Sequence, residues 1–169
     1  MELCKIISLK KLILIRHSKS SWKHNVTDLE RPLSNRGYND ANLMSGILNN
    51  FSIDIDAVFS SNSKRTLETA EIFLKNLTNC KDIKIIKNPD LYDFYGDKVE
   101  LFIKKLNNKL NTVMIFTHNN SCNNLFFKYG EIVNTHVPSS GILIFEFDVS
   151  LWSSIKSCNC KYFFPNNFK

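Results

Sequence analysis

Short apolar runs alternate with helix-periodic segments along most of the chain, and that alternation constrains the fold more than any other feature. The runs are "KLILI" (11–15), "IDAVFSS" (55–61), "IKIIK" (83–87), "TVMIFTH" (112–118), "GILIFEF" (141–147) and "KYFFP" (161–165). Each has strand length, and "KLILI" is apolar without a break, as a strand buried on both faces would be. Between them lie three stretches with helical spacing. Ser34 can cap a helix through about Asn50, with Ala41, Met44, Ile47 and Leu48 as its stripe. "SNSKRTLETAEIFLKNL" (61–77) carries Leu67, Ala70, Phe73, Leu74 and Leu77, and "DKVELFIKKLNNKL" (97–110) opens on Asp97 as a candidate cap. A shorter helix is expected around Ser121 to Lys128. Strands alternating with helices predict an α/β fold: a three-layer α/β/α arrangement around an open, mostly parallel sheet. At 169 residues one domain, spanning residues 1–169, is expected.

In such sheets ligands gather beyond the carboxyl ends of the strands. The first run ends on Arg16-His17, the second leads to Arg65, and the fourth ends on His118. Two arginines and two histidines are thereby sent to one sheet edge. The arginines are informative in themselves. Of 22 basic residues 18 are lysine, and the four arginines (Arg16, Arg31, Arg36, Arg65) all fall in the first 65 positions. A guanidinium grips a phosphate or carboxylate through two parallel hydrogen bonds, which an ammonium cannot do. The four are therefore candidates for anion recognition. The competing reading pairs some of them with carboxylates such as Asp28 or Glu30, and for Arg36 that structural reading is preferred.

Several chemistries are disfavoured. There is no G-x-x-x-x-G-K-[ST] loop and no G-x-S-x-G elbow. Five cysteines (Cys4, Cys80, Cys122, Cys158, Cys160) form no framework, and no His or Cys pair stands at ligand spacing, so free thiols, a cytoplasmic setting and no metal or other cofactor are expected. The net charge of +6 comes without a dense basic run interleaved with aromatics, so nucleic acid is not the expected partner. The apolar runs are too short to span a bilayer, and no signal peptide is read at the start. A histidine beside an arginine at a strand end can instead act as a nucleophile toward phosphorus, with fixed donors meeting the charge on the phosphoryl oxygens.

The segments "LILIRHSKSSW", "RPLSNRG", "VFSSNSKRTLETAEIF", "LYDFYGD", "VMIFTHNN" and "VPSSGILIFEFD" fall in order along nearly the whole chain. Together they resemble the histidine phosphatase superfamily, with its phosphoglycerate-mutase-like fold, and in particular its short branch typified by the SixA phosphohistidine phosphatases. The resemblance implies His17 as the nucleophile that becomes phosphorylated. It implies Arg16 and Arg65 as phosphoryl clamps, His118 as a second histidine bonded to a phosphoryl oxygen, and Arg31 as an arginine lining the pocket. The sequence departs from the pattern at Ser18 (usually Gly or Ala), Asn62 (often Pro), Glu68 (commonly Gln) and "THNNS" in place of a frequent "GHNPG".

Ester-cleaving members use a glutamate to protonate the leaving alcohol, a proton worth roughly 10²–10⁴-fold in rate. In the matching stretch "LYDFYGDKVE", Asp93, Asp97 and Glu100 are the available carboxylates, and none stands in a clear signature. A phosphohistidine needs less help, because its leaving imidazole has a pKa of about 6.5. The expected substrate is thus a phosphohistidine-bearing protein such as a phosphotransfer domain. A small phosphorylated molecule cleaved by the same fold, or phosphate binding without catalysis, are the alternatives. Trp22, Tyr92, Phe94 and Tyr95 are candidates for the cleft mouth or for plain packing, and His24 and His136 are read as loop residues.

Overall fold

The computed structural model describes residues 9–23, 25–80 and 82–169. Six strands form one sheet: β1 (Lys10–Arg16), β2 (Ala57–Ser60), β3 (Ile85–Lys87), β4 (Thr112–Thr117), β5 (Ile142–Phe147) and β6 (Asn159–Phe163). Their order is β3-β2-β4-β1-β5-β6. The pairs β1–β4, β2–β4 and β2–β3 are parallel, whereas β5 runs antiparallel to both β1 and β6. The four main helices are α1 (Asn35–Asn49), α2 (Lys64–Asn76), α3 (Asp97–Lys104) and α4 (Asn119–Gly130).

β1 has a neighbour on each side and a core on each face. Alternate side chains of a strand point to opposite faces. Leu12 and Leu14 accordingly enter the cluster built with Val99, Ile103, Leu125 and Phe126 of α3 and α4. Ile13 and Ile15 enter the one built with Ala41, Met44, Ala70 and Phe73 of α1 and α2. All four are fully buried, which is the physical meaning of the uninterrupted "LILI". The edge strands β3 and β6 are short and partly exposed. No helix among the described residues is long and apolar enough to cross a membrane.

Element boundaries differ from the sequence pattern in instructive places. α2 starts at Lys64 and not at Ser61, because Ser61, Ser63 and Thr66 bond to one another through their hydroxyls and keep the first residues out of the helix. α3 ends at Lys104, and "NNKL" forms a turn instead of a further helical turn. α4 begins two residues early, with His118 itself at its N-cap position. β6 starts at Asn159 and ends before Pro165, a residue with no amide to donate to a ladder. Gly37 is fixed by close approach: a Cβ there would lie 2.2 Å from the Lys19 carbonyl oxygen, so α1 can seat against the loop after β1 only with glycine at that position.

Candidate active site

The carboxyl ends of β1, β2 and β4 lie side by side, and the residues that follow them form the site. The His17 amide donates to the Thr117 carbonyl (3.0 Å), which joins the end of β1 to that of β4. The Ser140 amide reaches both the Arg16 and His17 carbonyls (3.2 and 3.3 Å). Ser140 does so from a left-handed backbone conformation (φ +64°), which L-residues adopt only when their surroundings hold them there. The hydroxyls of Ser140 and Ser18 are 2.6 Å apart, and the Ser18 amide donates to Thr69 Oγ1 of α2. The backbone around His17 is thus pinned by three separate segments.

Partner chemistry fixes the tautomer of each histidine. His17 Nδ1 lies 2.8 Å from the Ser18 carbonyl, which only accepts, so Nδ1 carries the proton. Its Nε2 carries the ring's one in-plane lone pair, which accepts the Arg65 Nε–H at 3.3 Å, a long bond that a bound anion could take over. His118 is fully buried. Its Nδ1 faces Arg65 Nη2 (3.4 Å), which only donates, so the proton sits on Nε2 and is shared with Ser61 Oγ (2.9 Å). The two ring centroids are 5.3 Å apart, and Tyr92 and Phe94 wall His118 at 5.0 and 5.1 Å.

Arg65 is 1% exposed and donates to both histidines. It also donates to Asp28, through Nη1 to the backbone carbonyl and through Nη2 to Oδ2 (2.9 Å). Arg16 spends Nη1 on the Val137 carbonyl (2.6 Å), while its Nε is a buried donor without an acceptor among the described residues. Such a donor is costly to leave unpaired. Arg31 lies beside the site, but its donors go to Asp28 Oδ1 (2.9 and 2.6 Å) and Ser20 Oγ (2.7 Å), and its guanidinium stacks 3.6 Å from the exposed Trp22 ring. Arg36 lies on the exposed side of α1 against Asp40.

The acidic residues fall into clear roles. Asp93 accepts from the amides of Tyr95, Gly96, Lys98 and Val99, so it caps the start of α3. Asp97, the cap expected from the sequence, is instead the first residue of α3 and is exposed; Gly96, in the left-handed region, lets the chain curl back onto Asp93. Glu100 faces Lys104, Lys128 and the Tyr129 hydroxyl, away from the histidines. Asp28 is the carboxylate at the site. Partial burial acts to raise its pKa, but hydrogen bonds from Tyr92, Arg31 and Arg65 prevail and hold it well below the usual carboxylate range. Sequence reasoning had Asp28 only as a possible arginine partner, and it missed Ser61 and Ser140 as supports of the histidines.

Burial, with the Arg65, Arg16 and Arg31 charges, pushes His17 down to about 3, against the opposing bond to the Ser18 carbonyl. Burial, with His17 and Arg65, likewise lowers His118. Both rings are neutral at neutral pH, the form in which an imidazole can act as a nucleophile. Their folded-state pKa values lie below the unfolded value of about 6.5. Between about 6.5 and 3 the unfolded chain therefore binds protons that the folded chain does not. Stability should be complete above about pH 6.5 and fall progressively as the pH drops below it. The depressed carboxylates Asp28 and Glu100 add to the fall only below about pH 5. Melting temperatures between about pH 7 and pH 5 should thus fall in the wild type and fall less steeply in His118→Gln; equal slopes would mean that His118 protonates freely in the folded state.

His24 lies outside the described residues, as does Cys4. Trp22 and Tyr95 are strongly exposed, and His136 sits on the loop before Val137 near Asn123. Cys80, Cys122, Cys158 and Cys160 are free thiols.

The family model of the histidine phosphatase superfamily (branch 1) matches residues 12–131. No curated protein matches the chain. Among solved structures, a protein histidine phosphatase SixA complexed with tungstate superposes with a TM-score of 0.72 at 21% identity, over 94% of this chain and 99% of that one. A provisionally named phosphohistidine phosphatase SixA from Agrobacterium tumefaciens gives 0.72 at 20% identity, over 82% and 92%. A phosphoglycerate mutase from Bacillus anthracis gives 0.62 at 15% identity, over 87% and 95%. At these identities the structural likeness shows a common fold, the phosphoglycerate-mutase-like one.

Proposed function

The chain belongs to the histidine phosphatase superfamily, and from that premise we propose that it hydrolyses phosphohistidine on a protein, with His17 as the nucleophile. His17 Nε2 attacks phosphorus in line with the bond to the substrate imidazole. That P–N bond breaks as the new one forms. A substrate ring protonated on its distal nitrogen departs as neutral imidazole, so the enzyme need not supply a proton. The phosphorylated His17 ring is then cationic, and its Nδ1–H remains bonded to the Ser18 carbonyl, which stabilises that charge. Water attacks the phosphorus next, phosphate leaves as the dihydrogen anion, and His17 returns to its starting tautomer. Arg16 and Arg65 meet the phosphoryl oxygens through both steps, and His118 joins them as a donor when its proton moves to Nδ1 and the Ser61 hydroxyl donates to its Nε2. Arg31 takes part from the pocket wall by holding Asp28.

The observation that carries the choice of P–N over P–O cleavage is the state of the carboxylates. Asp28 is kept ionised, Asp93 is consumed by backbone amides, and Glu100 is bound to two lysines. None of them is placed as a free acid for a leaving alcohol. The test is to trap the intermediate. Brief incubation with a phosphohistidine-bearing protein, quenched in alkali, should leave phosphate on the enzyme that is acid-labile and lost in His17→Ala. Rapid phosphate release in which no labelled enzyme is ever detected, even under single-turnover conditions, would contradict the covalent route.

A further inference from the structure

The Arg65 guanidinium addresses two different targets with two different edges. Its Nε–Nη2 edge faces the pocket, with Nε 3.3 Å from His17 Nε2 and Nη2 3.4 Å from His118 Nδ1. Its Nη1–Nη2 edge faces a single residue. Nη1 donates to the Asp28 carbonyl at 2.5 Å and Nη2 to Asp28 Oδ2 at 2.9 Å. The rest of the Asp28 carboxylate is equally committed. Oδ1 takes Arg31 Nε and Nη2, and Oδ2 also takes the Tyr92 hydroxyl at 2.5 Å. One side chain thereby ties together three segments around the pocket: the loop after β1, helix α2 and the loop before α3.

An ordinary surface ion pair contributes little and leaves both partners mobile. Here the Asp28 side chain is 43% exposed, but Arg65 is 1% exposed, so bulk solvent does not reach its far edge. Without Asp28 that edge would be a buried charged donor seeking another acceptor, and turning to find one would swing the Nε–Nη2 edge off the histidines. The charge count points the same way. Arg16, Arg31 and Arg65 less Asp28 leave two positive charges, matched to a phosphoryl dianion. Asp28 is also poorly suited to be a proton donor, because its four side-chain hydrogen bonds all stabilise the ionised form.

We infer that Asp28 is a positioning residue: it holds the far edge of Arg65 so that the near edge meets the phosphoryl group over His17. The inference rests on the proposed role of His17 and Arg65, and the experiment separates the two. Rates of phosphate release would be compared for wild type, Asp28→Asn, Asp28→Ala, Arg65→Lys and the double variant Asp28→Asn/Arg65→Lys, on a phosphohistidine protein and on 4-nitrophenyl phosphate. Misplacement of a catalytic group by about 1 Å costs roughly 10²-fold, so Asp28→Ala should lose about that much kcat/KM on both substrates. Asp28→Asn should lose less, because its amide oxygen can still accept. The double variant should be no slower than Arg65→Lys alone, since Asp28 acts only through Arg65. A purely structural role would lower the melting temperature and leave the folded variants near wild-type rates, which would overturn the inference. Additive losses in the double variant would overturn it as well. So would a loss confined to a phosphoserine peptide assayed alongside, whose alcohol needs a proton to leave, because that would make Asp28 a general acid. If Arg65→Lys itself were as fast as an active wild type, the reading of the whole site would fail, and not the Asp28 assignment alone.

Discussion

Replacing His17 with alanine is expected to abolish turnover and leave the fold in place. No other described side chain in the pocket offers a lone pair with the same access. His118 Nδ1 faces Arg65 from a fully buried ring, and the hydroxyls of Ser18, Ser61 and Ser140 are engaged with one another or with His118. Loss of a nucleophile of this kind costs on the order of 10⁴-fold or more in kcat. The scaffold does not depend on the imidazole, because the local backbone is held by the Thr117 carbonyl, the Ser140 amide and the Thr69 hydroxyl. Far-ultraviolet circular dichroism and the melting curve should therefore resemble the wild type. Activity within tenfold of wild type would remove His17 as the nucleophile.

Arg65→Lys carries the second largest expected effect, although the charge is kept. Arg65 makes four directed contacts from one planar group, to His17, His118 and two atoms of Asp28. An ammonium has no second edge and cannot grip Asp28 and a phosphoryl oxygen in the same geometry. Removal of one fixed donor to a developing oxyanion costs roughly 10²–10³-fold in kcat, and a loss of that size is expected here. Binding of tungstate, a phosphoryl-like oxyanion, should weaken in parallel in a calorimetric titration. Near-normal turnover with unchanged tungstate affinity would sink the clamp assignment.

The elements that the sequence made legible are those whose signal is local. The unbroken "LILI" marked β1 as buried on both faces, and the structure splits it alternately between two cores. Ser34 capped α1 as its position suggested, its hydroxyl accepting from the Gly37 amide. The strand ends that terminate on Arg16-His17 and His118 were visible because a polar pair after an apolar run is unusual, and the structure brings His17 and His118 to within hydrogen-bonding range of Arg65. What stayed hidden depends on contacts between distant positions. Asp28 and Arg65 are 37 residues apart, so nothing local distinguishes Asp28 from a solvated loop carboxylate. Ser61 belongs to His118 and not to a helix start, a fact set by the approach of β2 to β4. Asp93 displaced Asp97 as the cap of α3 because Gly96 adopts a left-handed conformation, which the sequence allows but does not announce. Ser140 stands where glycine would relieve the backbone, and its hydroxyl contact with Ser18 is what glycine could not supply.

The most direct test of the central claim is phosphate release from two matched substrates, a phosphohistidine-bearing protein and a phosphoserine peptide, each with wild type and His17→Ala. The account predicts His17-dependent release from phosphohistidine, with phosphoserine slower by about the 10²–10⁴-fold that a missing general acid costs. Comparable or faster release from phosphoserine would contradict it. That result would require a proton donor at the pocket and would move the substrate to phosphate esters.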